Sequence, residues 1–82
     1  MAATTGLVPT RSIDTRGMAC PGPLMALIGA IRQGASGDVF EVLSSDEGSK
    51  TDIPAWVQKA RHELVAVTPR DGYSSYVVRK AH

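Results

Sequence analysis

Two apolar stripes with helical spacing alternate along the chain with short β-branched runs, and this alternation constrains the fold more than any other feature. The first stripe consists of Leu24, Leu27, Ile28 and Ile31, and the second of Ile53, Trp56, Val57 and Ala60. Positions i, i+3, i+4 and i+7 share one side of a helix, so each stripe predicts an amphipathic helix. Strands are predicted at residues 12–15, 39–43, 64–68 and 73–80. The predicted order of elements is therefore β-α-β-α-β-β.

Prolines, glycines and a capping residue mark the ends of both predicted helices. Pro21 and Pro23 fit the first turn of the first helix, because N–H groups there have no intrahelical partner. This helix is predicted to begin at about Pro21 and to end just before Gly34. Asp52 is predicted to be the N-cap of the second helix, with Pro54 in its first turn.

The connections between the strands predict the architecture. A helix between the first two strands makes them parallel, with a right-handed crossover. The Pro69–Gly72 segment has turn chemistry, so the last two strands are predicted to form a hairpin. The predicted fold is α+β: a two-layer α/β sandwich in which two helices cover one face of a four-stranded mixed sheet. The other face is predicted to be wetter, with candidate positions Glu41, Ser74, Ser75 and Arg79.

Length and charge exclude several classes of protein. Eighty-two residues make one small domain, predicted to span residues 11–82 after a flexible leader of residues 1–10. Nine basic and eight acidic residues leave a net charge of +1, too balanced for an electrostatic nucleic-acid binder. No stretch approaches the roughly 18–20 apolar residues of a membrane helix, and Met1–Thr10 does not resemble a signal peptide. We expect a cytoplasmic monomer whose single cysteine stays reduced.

Cys20 is the one thiol of the chain, and it directly precedes Pro21 at the start of the first predicted helix. Helix N-termini favour anions, and thiolates placed there have a lowered pKa and are the nucleophilic form. The alternative is a buried cysteine that packs as a small hydrophobic residue. A junction between a loop and a helix is usually a surface site, which favours an exposed, functional thiol.

Other cysteine chemistries require partners that the sequence does not supply. A cysteine hydrolase needs a base beside the thiol. His62 follows the second helix, where it is predicted to hydrogen-bond the last carbonyl groups, and His82 is the last residue. A Cys-x-x-Cys oxidoreductase motif would need a second cysteine where Pro23 stands, and a metal site needs three or four ligands. We therefore expect no metal and no cofactor, and the remaining chemistry is a persulfide or mixed disulfide formed with a partner's sulfur.

Two sequence segments form a distinctive pair of motifs. Residues 14–23 read Asp-Thr-Arg-Gly-Met-Ala-Cys-Pro-Gly-Pro, and residues 52–56 read Asp-Ile-Pro-Ala-Trp. This pair resembles the TusA/SirA-like sulfur-carrier family. The apolar strand at 39–43, Ser45-Asp46 and the closing Arg79-Lys80 extend the resemblance over about residues 12–80. Two positions depart from the family pattern: Glu47 follows Asp46 where many members have proline, and Arg61 stands where many have glycine.

The resemblance implies a sulfurtransferase-type carrier in the cytoplasm rather than a complete stand-alone enzyme. Its motif cysteine, here Cys20, would accept sulfane sulfur from a cysteine desulfurase or a rhodanese. It would pass the sulfur to an acceptor such as a DsrE-like protein or another sulfurtransferase. The destination stays open among tRNA thiolation, cofactor biosynthesis and sulfur oxidation, and so does the carried species, a persulfide or a thiosulfonate.

The residues around Cys20 are predicted to bind partners or to position the thiol. They are Asp14, Arg16, Gly17, Met18, Pro21, Gly22, Pro23 and Met25. Met18, Met25 and the Pro-Gly-Pro segment would supply apolar contacts, with Arg16 as a charge at the rim of the contact. The alternatives are a non-catalytic regulatory or interaction module with an incidental thiol, and an RNA-binding module, which would want an aromatic-rich basic strand. Trp56 is predicted to lie in the core or at its edge.

Overall fold

The computed structural model describes residues 9–19 and 21–82, which form two helices and four strands in the predicted order. The elements are β1 (Arg11–Asp14), α1 (Gly22–Gln33), β2 (Val39–Ser44), α2 (Ser49–Lys59), β3 (Glu63–Pro69) and β4 (Ser74–Arg79). Cys20 and most of the predicted leader, residues 1–8, lie outside the described residues. None of the helices in the described part of the chain has the length and apolar content to cross a bilayer.

The four strands form one mixed sheet in the order β1-β2-β4-β3. β1 runs parallel to β2, and β3 and β4 form an antiparallel hairpin, as predicted. β4 lies between β2 and β3 and is antiparallel to both. Asp14 at the end of β1 pairs with Leu43, which in turn pairs with Ser75 near the start of β4. The segments that follow β1 and β2 and the turn that precedes β4 therefore meet at one edge of the sheet.

Both helices cover the same face of this sheet. Phe40 and Val42 of β2 pair with Val78 and Tyr76 of β4, and strand alternation places these four side chains on one face. Each of them is 2% exposed or less. They pack in one cluster with Leu27, Ala30 and Ile31 of α1 and with Ile53 and Val57 of α2. Burial of each large apolar side chain stabilises the fold by about 1.5–3 kcal/mol, and the predicted two-layer sandwich is confirmed.

The opposite face of the sheet carries polar side chains. The carboxylate of Glu41 accepts hydrogen bonds from the hydroxyl groups of Ser12, at 3.0 Å, and Ser75, at 2.7 Å. Arg79 is also on this face, where it forms an ion pair with Glu63 at 2.8 Å. The prediction for Ser74 is wrong, because neighbouring residues of a strand point to opposite faces and Ser74 lies on the helix-covered side.

The second helix begins four residues earlier than predicted. Gly48, and not Asp52, is its N-cap, so Asp52 lies in the first turn and Pro54 lies inside the helix. The early start has a tertiary cause: the Ser44 and Ser49 hydroxyl groups are 2.8 Å apart in the interior, which ties the first helical residue to the end of β2. The missing N–H of Pro54 leaves a carbonyl group without its intrahelical donor, but burial of the helix's apolar side keeps the helix continuous.

The C-terminal end of α1 is closed by a neighbouring strand. The Lys80 ammonium group donates to the carbonyl oxygen atoms of Ile31, at 2.7 Å, and Gly34, at 3.0 Å. Gly34 has extended backbone angles and ends the helix as predicted. A Cβ atom at this position would overlap the ring of Phe40, so glycine is required here by close packing.

The C-terminal end of α2 forms a complete Schellman motif. The N–H of His62 donates to the carbonyl oxygen of Val57, and the N–H of Arg61 donates to that of Gln58. Arg61 has a φ of 64°, the left-handed conformation that this motif requires at the residue after the C-cap. The departure noted at Arg61 in the sequence therefore falls at a position that favours glycine.

Candidate functional site

The segment that leads from β1 toward Cys20 begins with a tight turn over residues Thr15–Met18. The N–H of Met18 donates to the carbonyl oxygen of Thr15 at 3.0 Å, which closes the turn. Gly17, at its third position, has a φ of 87°. A type II turn needs a positive φ there, so glycine is the residue that fits without strain. Gly17 therefore shapes the segment before the thiol.

Hydrogen bonds fasten this turn to the end of β2. The backbone N–H and the side-chain hydroxyl of Thr15 both donate to the carbonyl oxygen of Leu43, at 2.8 and 2.6 Å, and Thr15 is 2% exposed. The N–H of Gly17 donates to the Ser45 hydroxyl at 2.9 Å. The turn is thus held by a buried side chain and by a loop from a different part of the chain.

Asp14 and Arg16 brace the same turn from its exposed side. Asp14 Oδ1 accepts from the backbone N–H of Arg16 at 3.0 Å, and the two carboxylate oxygen atoms accept from Nε and from Nη2 of Arg16 at 2.9 and 2.7 Å. The side-chain hydrogen bond from Arg16 is the main cause that lowers the pKa of Asp14 to about 2, and Asp14 in turn raises the pKa of Arg16. Both side chains are about half exposed, so this ion pair orients groups and adds little stability.

Arg16 also contacts the β3–β4 turn. Its guanidinium carbon lies 4.9 Å from the centre of the Tyr73 ring, a cation–π contact. Arg16 therefore connects the turn before Cys20 to the residue that precedes β4. The sequence predicted Arg16 as a rim charge, and the structure shows it already bound to a carboxylate and to an aromatic ring.

Two exposed methionine side chains flank Cys20 in the sequence. Met18 is 46% exposed and Met25 is 59% exposed. The methyl group of Met18 packs over Gly22, where a Cβ atom would lie only 3.0 Å from it. Pro21 is exposed, whereas Pro23 is buried, so the expectation that Pro23 offers a contact surface is wrong. Pro23 instead fixes the start of α1 against the interior.

Cys20 itself lies outside the described residues, but the helix that follows it is described. The N-cap of α1 is Pro21. Pro21 and Pro23 have no N–H, and the N–H of Gly22 donates to the Ala19 carbonyl oxygen at 2.8 Å. None of residues 21–23 therefore has a free backbone N–H to offer an anion, although the helix dipole still favours an anion at this end of α1.

Neither histidine belongs to this end of the molecule. His62 Nδ1 accepts the N–H of Ala81 at 3.1 Å, and its ring stacks on His82 with ring centres 4.8 Å apart. His62 does hydrogen-bond one of the last carbonyl groups of α2, but through its backbone N–H to Val57 and not through its ring. His82 Nε2 lies 3.0 Å from the Ala60 carbonyl oxygen. Trp56, partly buried against the core as predicted, lies beside the His62 ring.

Sequence reasoning missed three residues that hold the turn: Thr15, Ser45 and Tyr73. Ser45 and Tyr73 lie 28 or more positions from the residues they contact, so local patterns do not reveal them. A usable signal existed in the predicted parallel pairing of the first two strands, which brings the residues after both strands to one sheet edge. Among the described residues, no group of three or more His, Cys, Asp or Glu side chains is arranged to hold a metal ion.

These observations define the class of protein: a two-layer α/β domain in which a braced turn and a Cys-Pro-Gly-Pro segment join the first strand to the first helix. The family model described as "Sulfurtransferase TusA" matches residues 11–80. The chain therefore belongs to the TusA family, whose members are sulfur carriers that pass sulfur between partner proteins. The resemblance seen in the sequence is confirmed.

Similar proteins cover nearly the whole chain. A protein of Archaeoglobus fulgidus described as "Putative sulfur carrier protein" is 54% identical over 83% of this chain and 93% of its own length. "Sulfur carrier protein TusA" of Pseudomonas entomophila is 33% identical over 93% of this chain and 95% of its own. The crystal structure of the SirA-like protein from Desulfitobacterium hafniense has the same fold, with a TM-score of 0.76 at 19% identity, and the match covers 88% of this chain and 99% of that one.

Proposed function

We propose that this protein is a sulfur carrier that receives sulfane sulfur on Cys20 and delivers it to a second protein. The donor is a cysteine desulfurase or a rhodanese, and the acceptor is a DsrE-like protein or another sulfurtransferase. The cytoplasm, where an unpaired thiol stays reduced, is the proposed setting. One observation carries the proposal: the only cysteine of a TusA-family chain stands in its Cys-Pro-Gly-Pro segment, directly after a turn that the fold braces.

The chemistry requires one thiolate and no redox cofactor. The Cys20 thiolate attacks the outer sulfur of the donor's persulfide, the donor's S–S bond breaks, and the donor thiolate leaves with the electron pair. An acceptor thiolate then attacks the outer sulfur now bonded to Cys20, and the Cys20 thiolate leaves. With tetrathionate as the donor, the Cys20 thiolate attacks one of the two central sulfur atoms. That sulfur stays on Cys20 with its sulfonate group, as a thiosulfonate adduct, and the other half of tetrathionate leaves as thiosulfate.

The surface around the Cys20 segment suits brief contacts with different partners. Met18 and Met25 are exposed, and methionine side chains adapt to partners of different shape. A carrier must release each partner, so we expect each contact to bury less than roughly 1,200 Å² in total. The braced turn supports this role, since it keeps the segment before the thiol in one conformation.

Intact-mass spectrometry after incubation with cysteine and a desulfurase tests the proposal. We expect the wild type to gain one sulfur atom, and the Cys20→Ser variant to gain none. The matched control is the double variant Cys20→Ser, Ser36→Cys, which moves the thiol to another exposed turn. If this control loads as fast as the wild type, an exposed thiol is sufficient and the site has no role. If the wild type does not load from any protein donor, the carrier function is refuted.

A further inference from the structure

A polar cleft lies beside the turn that precedes Cys20. It has a volume of about 270 Å³ and lies between residues 44–47, which follow β2, and residues 69–74, which connect β3 to β4. Lys50 of α2 also lines it. Ligand pockets in proteins hold roughly 300–1,000 Å³. The cleft is therefore just smaller than this range. It has room for a short extended segment, whereas a helix about 10–12 Å across would not enter it.

The walls of the cleft are the same segments that hold the turn. Ser45 lines the cleft and accepts the N–H of Gly17. Tyr73 lines the opposite wall and contacts the Arg16 guanidinium group. A segment bound in the cleft would therefore continue directly toward the turn that leads to Cys20.

The lining carries both hydrogen-bond donors and acceptors and has no excess of either charge. Glu47 and Lys50 form an ion pair at 3.0 Å, which leaves Asp46 and Arg70 as the other two charged groups of the lining. One carboxylate oxygen of Asp46, Oδ2, is buried and has no hydrogen-bond donor among the described residues. Asp46 nevertheless lines the cleft, and because the torsion of a carboxylate group about χ2 is soft, this oxygen can turn toward a bound donor.

A buried tyrosine lies two residues beyond Ser74, which lines the cleft. Tyr76 follows Ser74 by two residues, on the same face of β4, and its buried hydroxyl group makes no well-formed hydrogen bond within the described part of the chain. Burial raises the pKa of Tyr76, the neighbouring Ser74 side chain lowers it, and the charges of Lys50, Glu47 and Asp46 also act on it. Ser74 thus lies close to this hydroxyl group, which leaves the Asp46 oxygen as the unpaired group of the lining. Because a buried polar group without a partner destabilises a fold, its presence in a cleft points to a function in binding.

We propose that this cleft binds the extended peptide segment next to the reacting cysteine of the partner protein, with Asp46 accepting a backbone N–H of that segment. A peptide backbone is uncharged and presents both donors and acceptors, which suits a lining of this kind, whereas a small anion or cation would be opposed by half of the charges of the lining. The inference rests on the proposed carrier function and names what the site recognises. Asp46 then determines specificity for protein partners and takes no part in the chemistry at sulfur.

Two disulfide probes that differ only in peptide length test this assignment. The long probe is acetyl-Gly-Gly-Cys-Gly-Gly-amide, and the short probe is N-acetylcysteine amide, each activated as a disulfide with 5-thio-2-nitrobenzoate. The Cys20 thiolate attacks the cysteine sulfur of either probe and releases coloured thionitrobenzoate, so both rates are read by absorbance. A backbone hydrogen bond to the charged Asp46 carboxylate, at about 1.5 kcal/mol, predicts that the long probe reacts roughly tenfold faster with the wild type.

The variant Asp46→Asn replaces an acceptor oxygen with an NH₂ donor, and we expect it to lose most of the advantage of the long probe without slowing the short one. Asp71→Asn is the matched control, since Asp71 lies in the β3–β4 turn beside the cleft but does not line it, and this variant should keep the full advantage. Amide resonances of residues 45–47 and 70–73 should shift when the long probe is attached to Cys20.

The proposal is overturned if the wild type does not distinguish the probes, if Asp46→Asn keeps the advantage of the long probe, or if the shifts are confined to residues next to Cys20. Failure of the proposed carrier function would be seen in a different assay, the mass-spectrometric test of persulfide loading, because neither probe transfers sulfane sulfur.

Discussion

Replacing Arg61 by glycine should stabilise this protein, although it removes a charged side chain. Arg61 has a φ of 64° and occupies the left-handed position of the Schellman motif that ends α2. A side chain with a Cβ atom is strained in this conformation, because Cβ approaches the following carbonyl oxygen. The Arg61 side chain is exposed and makes no hydrogen bond or ion pair with the described residues, so its removal loses no contact there.

The expected gain is the difference between two opposing effects. Relief of the left-handed strain contributes roughly 1–2 kcal/mol. Glycine gives the unfolded chain more conformational freedom, which offsets about 0.4–1 kcal/mol of that gain. The net stabilisation is about 0.5–1 kcal/mol, and at about 4–8 °C per kcal/mol for a domain of this size, the unfolding temperature should rise by roughly 2–8 °C.

Urea unfolding of Arg61→Gly, followed by far-UV circular dichroism and by Trp56 fluorescence, measures this change. Equal slopes for wild type and variant would show that the midpoint shift reports stability. Arg61→Ala is the matched control: it removes the guanidinium group but keeps Cβ, so it should give no comparable gain. The strain argument is refuted if alanine stabilises as much as glycine, or if Arg61→Gly leaves the midpoint unchanged or lowers it.

Four further predictions concern the site, the fold and its response to pH. Cys20→Ser should abolish sulfur loading in mass spectrometry and change the free energy of unfolding by less than about 1 kcal/mol, because serine is a good residue near a helix N-terminus; a loss of several kcal/mol would mean that the cysteine is buried. Arg16→Glu should slow sulfur transfer from a protein donor by roughly tenfold, while the rate with tetrathionate falls much less; equal losses in the two assays would mean that Arg16 acts on the thiol itself. Gly34→Ala should destabilise the protein by about 1–3 kcal/mol in urea unfolding, because its Cβ would overlap the Phe40 ring; an unchanged midpoint would contradict that packing. Burial lowers the pKa of His62 in the folded state, and the charges of His82 and Lys80 add to the effect. The unfolded chain therefore binds more protons, so the free energy of unfolding should fall as pH drops below about 6.5. His62→Gln should flatten this pH dependence, and an equally steep profile in the variant would exclude His62 as its source.

The element order and the packed sides of both helices could be predicted from local patterns. The stripe that contains Leu27 and Ile31 and the stripe that contains Ile53 and Val57 each face the core, since helical spacing alone decides which residues share a side. The start of α2 could not be predicted in the same way. Asp52 has the chemistry of an N-cap, but the contact between Ser44 and Ser49 starts the helix earlier, and that contact exists only when β2 and α2 are packed together.

The sequence by itself determined that one thiol stands in a Cys-Pro-Gly-Pro segment at a strand-to-helix junction, because residue identity and chain order are local information. It also determined that Gly17 can adopt the positive φ that the turn before this segment needs. Only the tertiary structure decided what holds that turn. Ser45 and Tyr73 reach it because β1 pairs in parallel with β2 while β4 lies antiparallel beside β2, which brings three distant segments to one sheet edge. Hydrogen bonds between residues so far apart in the chain depend on strand pairing, and strand pairing depends on the whole core being formed.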